Sequence, residues 1–325
     1  MDRGINLKPV PQRVALFGGN HNISMAAAQY FQEESPQTKV RLIIRREKHR
    51  AALEAKFPKA EVVFGDYYDL ASLEKALKDC QGLFILTPDF IDEHRAMTNA
   101  IYAIRANPGI LHIVRMLGDP SNMTEKRVPY YVKRYGAGPG IQHIWAKKML
   151  EDSGLPITFM NCASYFMQDF TSVMFNVAIS KHRMLAVPRN RRMGFIDNAD
   201  AGRCAAGLLL SPNHRHIGQT YNLDNNGDVM WFDEFAALLS EVLGVEIRYD
   251  GTDETFLRLN GEGMKAYSGR QDADRFCLDL FQFENDNDTV WRKSDIVEYL
   301  CGRKPVTLRA WIAANRDALL NGPKA

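Results

Sequence analysis

Val14-Ala15-Leu16-Phe17-Gly18-Gly19-Asn20-His21-Asn22-Ile23-Ser24 is the stretch whose reading decides the fold. Four apolar residues that stop at a glycine pair read as a buried strand of a parallel sheet. Residues 24–31 read as a helix, so the glycines make a strand-to-helix turn. In a phosphate-binding turn of this kind the first glycine bends the chain and the second lets a pyrophosphate approach the backbone. The third lets helix and strand pack closely. Gly18 fills the first place, but His21 stands in the second and Ser24 in the third. The helix N-terminus still offers N–H groups and a favourable dipole to an anion. An imidazole at position 21 could donate to a phosphate or obstruct it. Both readings stay open beside a third, a structural turn that has lost its ligand.

Outward from this turn the chain alternates. Strands are expected over 40–44, 61–64, 83–86 and 112–116, and helices over 47–56, 70–78 and 93–105. The rhythm predicts right-handed βαβ units, and so an α/β fold with a doubly wound parallel sheet of the Rossmann type. Ligands of such sheets bind beyond the carboxyl ends of the strands. The loops after Phe17, Ile44, Phe64, Leu86 and Met116 therefore share one rim. Residues 1–12 read as a loose lead-in and 13–165 as a dinucleotide-binding-type domain. Residues 166–325 read as a smaller C-terminal α/β substrate lobe, with short strands near 194–196 and 219–223 that could return to the main domain. The polar stretch 117–140, with its Gly and Pro, suits an active-site loop or lid. A helix over 142–152 and a strand over 157–160 follow, then helices over 199–210, 231–243 and 307–319. Residues 261–290 carry Gly261, Gly263, Gly269 and the acidic run Glu284-Asn285-Asp286-Asn287-Asp288, and read as mobile surface around an isolated helix.

Composition narrows the function classes. The 325 residues are 46% hydrophobic and 25% charged with a net charge of +2, a globular and nearly balanced chain. Nothing in that balance proposes a nucleic acid or an anionic membrane as partner. The cluster Arg189, Arg191 and Arg192 reads as a solvated loop or a site for an anionic substrate. Five cysteines, none at CxxC spacing, suit a reducing compartment. No apolar run approaches the ~20 residues that span a bilayer, and no leader pattern opens the chain, so a cytoplasmic location is expected. The histidines show no metal-ligand spacing, and no metal is expected.

The second rim position bears on the cofactor. A ribose-binding acid normally ends the second strand, whereas Arg45-Arg46 follow Ile44 here. Arginine pairs with a 2′-phosphate, which favours NADP over NAD. The same residues, with Lys48, His49 and Arg50, also read as a solvated basic helix start.

These residues together resemble the NmrA-like family of atypical short-chain dehydrogenases. The resemblance is carried by residues 14–24 and 40–46, Gly65-Asp66, residues 70–78, Leu86-Thr87-Pro88 and His112-Ile113-Val114-Arg115. It continues through Ser153-Gly154-Leu155-Pro156, Tyr165-Phe166-Met167-Gln168, residues 196–201, Gln219-Thr220-Tyr221, residues 235–244 and residues 311–316. It implies an NAD(P)-binding domain with a small substrate lobe, in a family of quinone and dye reductases, isoflavone-type reductases and non-catalytic redox sensors. It also implies pyrophosphate contacts at Gly18, Gly19, Asn20, His21, Asn22 and Ile23, and a 2′-phosphate contact at Arg45, with Arg46 beside it. Asp66 and Tyr67 would lie near the adenine, and Thr87 and Pro88 near the ribose. The chain departs from the family pattern at His21 and Ser24, and at Met160-Asn161-Cys162 where Leu-Arg-Pro is usual. Met116 and Leu117 stand where a serine is common, and no Tyr-x-x-x-Lys pair follows residue 140. The Ser-Tyr-Lys proton relay of short-chain dehydrogenases therefore has no counterpart.

His143 is the leading candidate for chemistry. It precedes Lys147-Lys148 by four residues, the place of a catalytic lysine in isoflavone-type reductases. A histidine there could act as general acid near neutral pH. His143 and Lys147 share a helix face; a polar residue on a half-exposed helix is the other reading. Tyr130, Tyr131 and Tyr135 could donate to a substrate carbonyl or line an apolar pocket. Tyr165, Phe166 and Met167 are expected in the pocket wall, while Asp197 and Asp200 read as helix caps. Three functions follow: an NADP(H)-dependent reductase of a small aromatic or quinone-like substrate, a non-catalytic NADP(H) sensor, or a redox-neutral isomerase, lyase or cyclase.

Overall fold

The computed structural model describes residues 7–119, 123–162, 164–225, 227–287 and 294–322. Its first half runs β1 (Arg13–Phe17), α1 (Asn22–Glu34), β2 (Lys39–Ile44), α2 (Arg50–Lys56), β3 (Glu61–Phe64), α3 (Leu70–Leu77), β4 (Gly82–Ile85), α4 (Glu93–Arg105) and β5 (His112–Leu117). Then come α5 (Tyr130–Lys133), α6 (Gln142–Asp152) and β6 (Ile157–Asn161). The remainder holds β7 (Tyr165–Phe166), α7 (Asn176–His182), β8 (Met184–Leu185), β9 (Arg192–Ile196), α8 (Asn198–Leu210) and β10 (Thr220–Asn222). It continues with β11 (Val229–Trp231), α9 (Phe232–Leu243), β12 (Arg248–Tyr249), α10 (Asp253–Ser268) and α11 (Ala273–Asp286), and closes with α12 (Ile296–Cys301), α13 (Leu308–Ala314) and α14 (Arg316–Asn321).

Seven parallel strands form one sheet in the order β10-β6-β5-β4-β1-β2-β3. The alternation of β1 explains its layers. Val14 and Leu16 face a core with Ile23, Ala27 and Phe31 of α1 and Cys204 and Ala205 of α8. Ala15 and Phe17 face the opposite core with Leu73 of α3, Met97 of α4 and Leu150 of α6. Both faces of the sheet are therefore covered, as continuous apolar strands require. Helix starts are capped where the sequence offers a short acid: Asp69, Asp92 and Asp197 accept from the backbone N–H groups of Ser72, Arg95 and Ala199. The strand order reverses between β1 and β4, which opens a crevice beside the Gly18 turn.

The two short strands of uncertain allegiance part company. Thr220–Asn222 joins the edge of the main sheet on β6, whereas β9 pairs with β7 and β11 in a separate three-stranded sheet. That sheet covers a phenylalanine-rich core in which Phe170 and Phe235, and Phe195 and Phe235, have ring centroids 4.8 Å apart.

Several expectations change. Residues 261–286 are not mobile surface around one helix: α10 and α11 form a packed pair that inserts Phe276 and Phe281 into buried clusters. Gly261 and Gly263 lie inside α10. A Cβ at Gly263 would stand 1.9 Å from the Val173 carbonyl oxygen, so the glycine permits close approach of helix and loop. Glu284 does not belong to a free acidic run, because it pairs with Arg191 at 2.5 Å. Asp288 lies outside the described residues. Arg191 is 3% exposed and sits 4.5 Å over the Phe281 ring, while Arg189 pairs with Asp253. Neither is solvated or free for an anionic substrate. The helix expected over 307–319 is broken at Asn315 into α13 and α14. Asp200 does not cap α8; it is fully buried and binds Arg303 and the Val306 N–H, tying the C-terminal segment down.

Candidate functional site

A cavity of about 630 Å³ runs from the Gly18 turn, along the ends of β1, β2, β4 and β5, to the α10–α11 pair. That size falls in the range of small-molecule and cofactor sites.

At one end the chain makes a phosphate-type turn. Gly18 has φ +62°, a left-handed conformation that glycine adopts freely. Gly19 serves packing: its N–H donates to Ile43 O at 2.8 Å, and a Cβ there would lie 2.9 Å from Leu42 Cβ. His21 caps α1, its Nδ1 accepting from the Ile23 N–H at 3.3 Å. Burial pushes its pKa down to about 4, so the ring is neutral with its proton on Nε2. It both offers a donor to the cavity and consumes one N–H of the helix terminus. Ser24 answers the missing third glycine differently: buried, it donates its hydroxyl to Phe17 O at 2.6 Å and fits beneath the strand. Asn20 and Ile23 line the cavity, whereas Asn22 is an exposed first helical residue outside the lining.

Arg45 and Arg46 line the cavity next to His49, and neither is in an ion pair among the described residues. Arg50 is instead held by Glu47 and the Val62 carbonyl. Their exposed guanidinium groups flank the cavity mouth. Tyr67 stacks on Phe17, with centroids 4.8 Å apart, and donates to Leu86 O, tying three strand ends together at the cavity wall. Asp66 accepts from the Tyr68 N–H and shapes this turn from outside the lining.

Behind the middle of the cavity wall lies a buried network that sequence reading did not single out. Arg115, fully buried on β5, pairs with Glu93 at the start of α4 at 2.5 Å. The Thr87 hydroxyl donates to the same Glu93 oxygen at 2.6 Å and accepts from Arg115 at 2.8 Å. Gln142 bridges the Pro88 carbonyl and the N–H groups of Phe90 and Gly138, fixing the rim loop to the loop before α6. Thr87 and Pro88 line the cavity on the near side of this network.

His143, 7% exposed, lines the cavity from the first turn of α6. Its Nδ1 lies 3.5 Å from Arg115 Nη2. Burial, reinforced by the Arg115 charge, pushes its pKa down to about 3. The imidazolium general acid expected near neutral pH is therefore not the form this site holds, because a buried ring beside a cation resists a second charge. Lys147, one helical turn on, does not reach the cavity; it pairs with Glu151 at 3.7 Å and lies over the Phe159 ring. Tyr130 is 82% exposed, Tyr131 packs against the cluster of Val128 and Phe276, and Tyr135 donates to Asp279 at 2.8 Å. All three lie outside the lining, and the loop contributes Pro139 and Gly140 instead. Tyr165 and Phe166 line the wall, with the Tyr165 oxygen accepting from Arg191 at 2.7 Å; Met167 is fully buried behind them.

The far end is aromatic, with Phe90, Phe175, Phe276 and Phe281, and it carries two carboxyls, Asp89 and Asp169. Burial pushes Asp89 up to about 6, with help from Glu93, and Asp169 up to about 8, with help from Asp89. Asp169 therefore holds its proton near neutral pH, whereas Asp89 gives its up as pH rises through about 6. Asp89 directly follows the Thr87-Pro88 rim signal, which could have pointed to it, but the sequence reading stopped at Pro88. Asp169 and the α10–α11 phenylalanines carried no such signal, since only tertiary packing brings them here. No group of His, Cys, Asp and Glu able to hold a metal occurs among the described residues. No helix among them is long and apolar enough to cross a membrane.

Solved structures of similar fold bear on this arrangement. Citrobacter sp. triphenylmethane reductase complexed with NADP(H) is 19% identical with a TM-score of 0.72, over 93% of this chain and 99% of that one. The Escherichia coli NADPH-dependent quinone oxidoreductase complexed with NADPH is 18% identical with a TM-score of 0.72, again over 93% and 99%. NmrA, a negative transcriptional regulator in complex with NADP, is 12% identical with a TM-score of 0.67 over 95% of each chain. These likenesses establish the Rossmann-like architecture. The sequence pattern of the NmrA-like family matches residues 11–265, and this chain belongs to the NmrA-like family.

Proposed function

We propose that the protein is an NADP(H)-dependent reductase of a small aromatic or quinone-like substrate. One observation carries the reading: a single cavity joins a phosphate-type turn, flanked by two arginines that make no ion pair among the described residues, to an aromatic chamber in which Asp169 keeps its proton near neutral pH. The donor set fits the dinucleotide. The Gly18 turn and the N-terminus of α1 suit a pyrophosphate, Arg45 and Arg46 suit a 2′-phosphate, and Thr87 and Pro88 lead from there to the chamber. The crystallised relatives bound to NADPH or NADP(H) support the same assignment. When bound, the cofactor supplies a hydride.

The chain's own groups supply the rest. Phe90, Phe276 and Phe281 seat an aromatic ring and exclude water. Reduction of a quinone oxygen requires a proton, and the carboxyl of Asp169 retains one at neutral pH while Asp89 beside it is largely ionised. Glu93 and Arg115 hold the Thr87 hydroxyl in place at the rim.

The test is NADPH oxidation with a panel of quinones and aromatic dyes, followed by loss of the reduced-nicotinamide absorbance. Turnover with at least one acceptor is expected, reduced about 10²-fold or more in Asp169→Asn if that carboxyl is the proton donor. Tight NADPH binding without turnover on any acceptor would favour the sensor reading. The missing Ser-Tyr-Lys relay supports that second reading.

A further inference from the structure

The imidazole of His143 has two nitrogens in different surroundings. Nδ1 faces Arg115 Nη2 at 3.5 Å, and Glu93 Oε1 stands at 4.0 Å. Both Nη2 hydrogens go to Glu93 and Thr87, but a guanidinium has only donors, so an Nδ1–H would point its hydrogen at a cation and the ring proton belongs on Nε2. Arg115 cannot turn away, because Glu93, Thr87 and the Ile85 carbonyl also hold it. Nε2 has no hydrogen-bond partner among the described residues, although the ring is more than nine-tenths buried. Its neighbour is Gly118, where a Cβ would lie 3.3 Å away, so residue 118 leaves this nitrogen uncovered toward the cavity.

We infer that Arg115 is a positioning residue that locks His143 in its Nε2–H form, making His143 a neutral hydrogen-bond donor for an oxygen atom of the bound substrate. The inference deepens the reductase reading and rests on it for the identity of the ligand: an aromatic carbonyl or quinone oxygen, not a cationic nitrogen. A donor backed by a fixed positive charge holds an oxygen more strongly as negative charge builds on it. No proton needs to leave His143; the hydrogen bond tightens and the Nε2–H bond stays intact. A lock of this kind also accounts for a histidine where an isoflavone-type reductase would have a lysine. A charged amine beside Arg115 would place two cations against the single carboxylate of Glu93.

The charged groups around the ring are few. Glu93 comes from α4 and Arg115 from β5, and Lys147 on the same helix points elsewhere, toward Glu151. Asp119, next after Gly118, is buried and pushed up to about 7, so it is the neighbour whose titration must be controlled.

The experiment is nitrogen-15 NMR of the histidine side chains in the full chain, with His143→Gln identifying the resonance. The expected result is a pure Nε2–H tautomer for His143 that does not titrate between about pH 5 and 8, in wild type and in Asp119→Asn alike. Since Arg115→Met alone leaves Glu93 buried and unpaired, the double variant Arg115→Met/Glu93→Gln keeps the charge balanced. There the tautomers should mix, while burial still keeps the ring neutral. Arg115→Lys, which retains a donor, should restore the Nε2–H form. Turnover of a quinone should fall about tenfold to a hundredfold in the double variant. An Nδ1–H tautomer in wild type, titration of wild-type His143 in that range, or an unchanged tautomer in a folded double variant would each overturn the lock. Should the double variant not fold, the wild-type tautomer decides alone. The spectrum needs no turnover, so absence of NADPH oxidation would sink the reductase reading while leaving the lock measurable.

Discussion

His21 concentrates the question of how a damaged glycine-rich turn can still serve an anion. Its Nδ1 occupies the Ile23 N–H that a phosphate would otherwise receive, and its own Nε2–H is only a partial substitute. His21→Gly should therefore tighten NADPH by a few-fold to about tenfold, since the freed Ile23 N–H offers a phosphate a hydrogen bond of roughly 1.5–3 kcal/mol and loss of the imidazole Nε2–H donor offsets much of it. Calorimetric titration measures it, and weaker binding would show the imidazole to be a phosphate ligand. At this scale the sequence was partly legible. Gly18, Arg45 and Thr87 stand on the rim because strand ends place them there, and strand ends are visible as apolar runs. The protonation state of His143 was not legible, because it depends on tertiary burial and then on Arg115, a neighbour in space but 28 positions away in sequence. Tyr131 and Lys147 missed the cavity for a related reason. A loop or helix position fixes spacing, but which face meets the cavity is set by the packing of Phe276 and Phe159 against them.

The elements of the first half follow from local pattern, and those of the far lobe do not. Each strand from β1 to β5 is a short, nearly continuous apolar run ended by turn residues, a signal that survives without tertiary context. Helix α10 contains Gly261 and Gly263, which read as breakers, yet tertiary packing overrides that weak propensity. The two glycines make a discriminating pair. A Cβ at Gly261 meets Asp274 at an ordinary 3.5 Å, whereas at Gly263 it runs into the Val173 backbone. Gly261→Ala should be neutral or stabilise by up to about 1 kcal/mol through helix propensity. Gly263→Ala should destabilise by about 1–3 kcal/mol, because α10 must shift to make room. Chemical denaturation of both variants checks this; equal effects would mean that α10 does not press on the segment before α7.

At the scale of the whole molecule, buried titratable groups oppose one another. His21, His112 and His143 refuse protons when folded, with pKa values pushed down to about 4, 3 and 3. The unfolded chain takes those protons up below about pH 6.5, so these residues cost stability as pH falls. Asp89, Asp119 and Asp169 do the reverse. They ionise near 3.8 when unfolded but hold protons to about 6, 7 and 8 when folded, so stability falls as pH rises through that window. Below about pH 6.5 the two sets offset each other, while between about 6.5 and 8 only the carboxyls act. The melting temperature should therefore decline across that upper interval, and Asp119→Asn with Asp169→Asn should flatten the decline. A Tm that rises from pH 6.5 to 8 would contradict these assignments.

The central claim is that the altered turn, the arginine pair and the chamber form one working NADP site. Thermal melting of the full chain with increasing NADPH, and separately with NADH, tests it most directly. A ligand that binds only the folded chain adds about 2.7 kcal/mol of stability at a hundred times its Kd. NADPH should raise the melting temperature in a saturable way and at lower concentration than NADH, with Arg45→Ala removing most of the difference between the two. No shift with either nucleotide at millimolar concentration would show that the turn has lost its ligand.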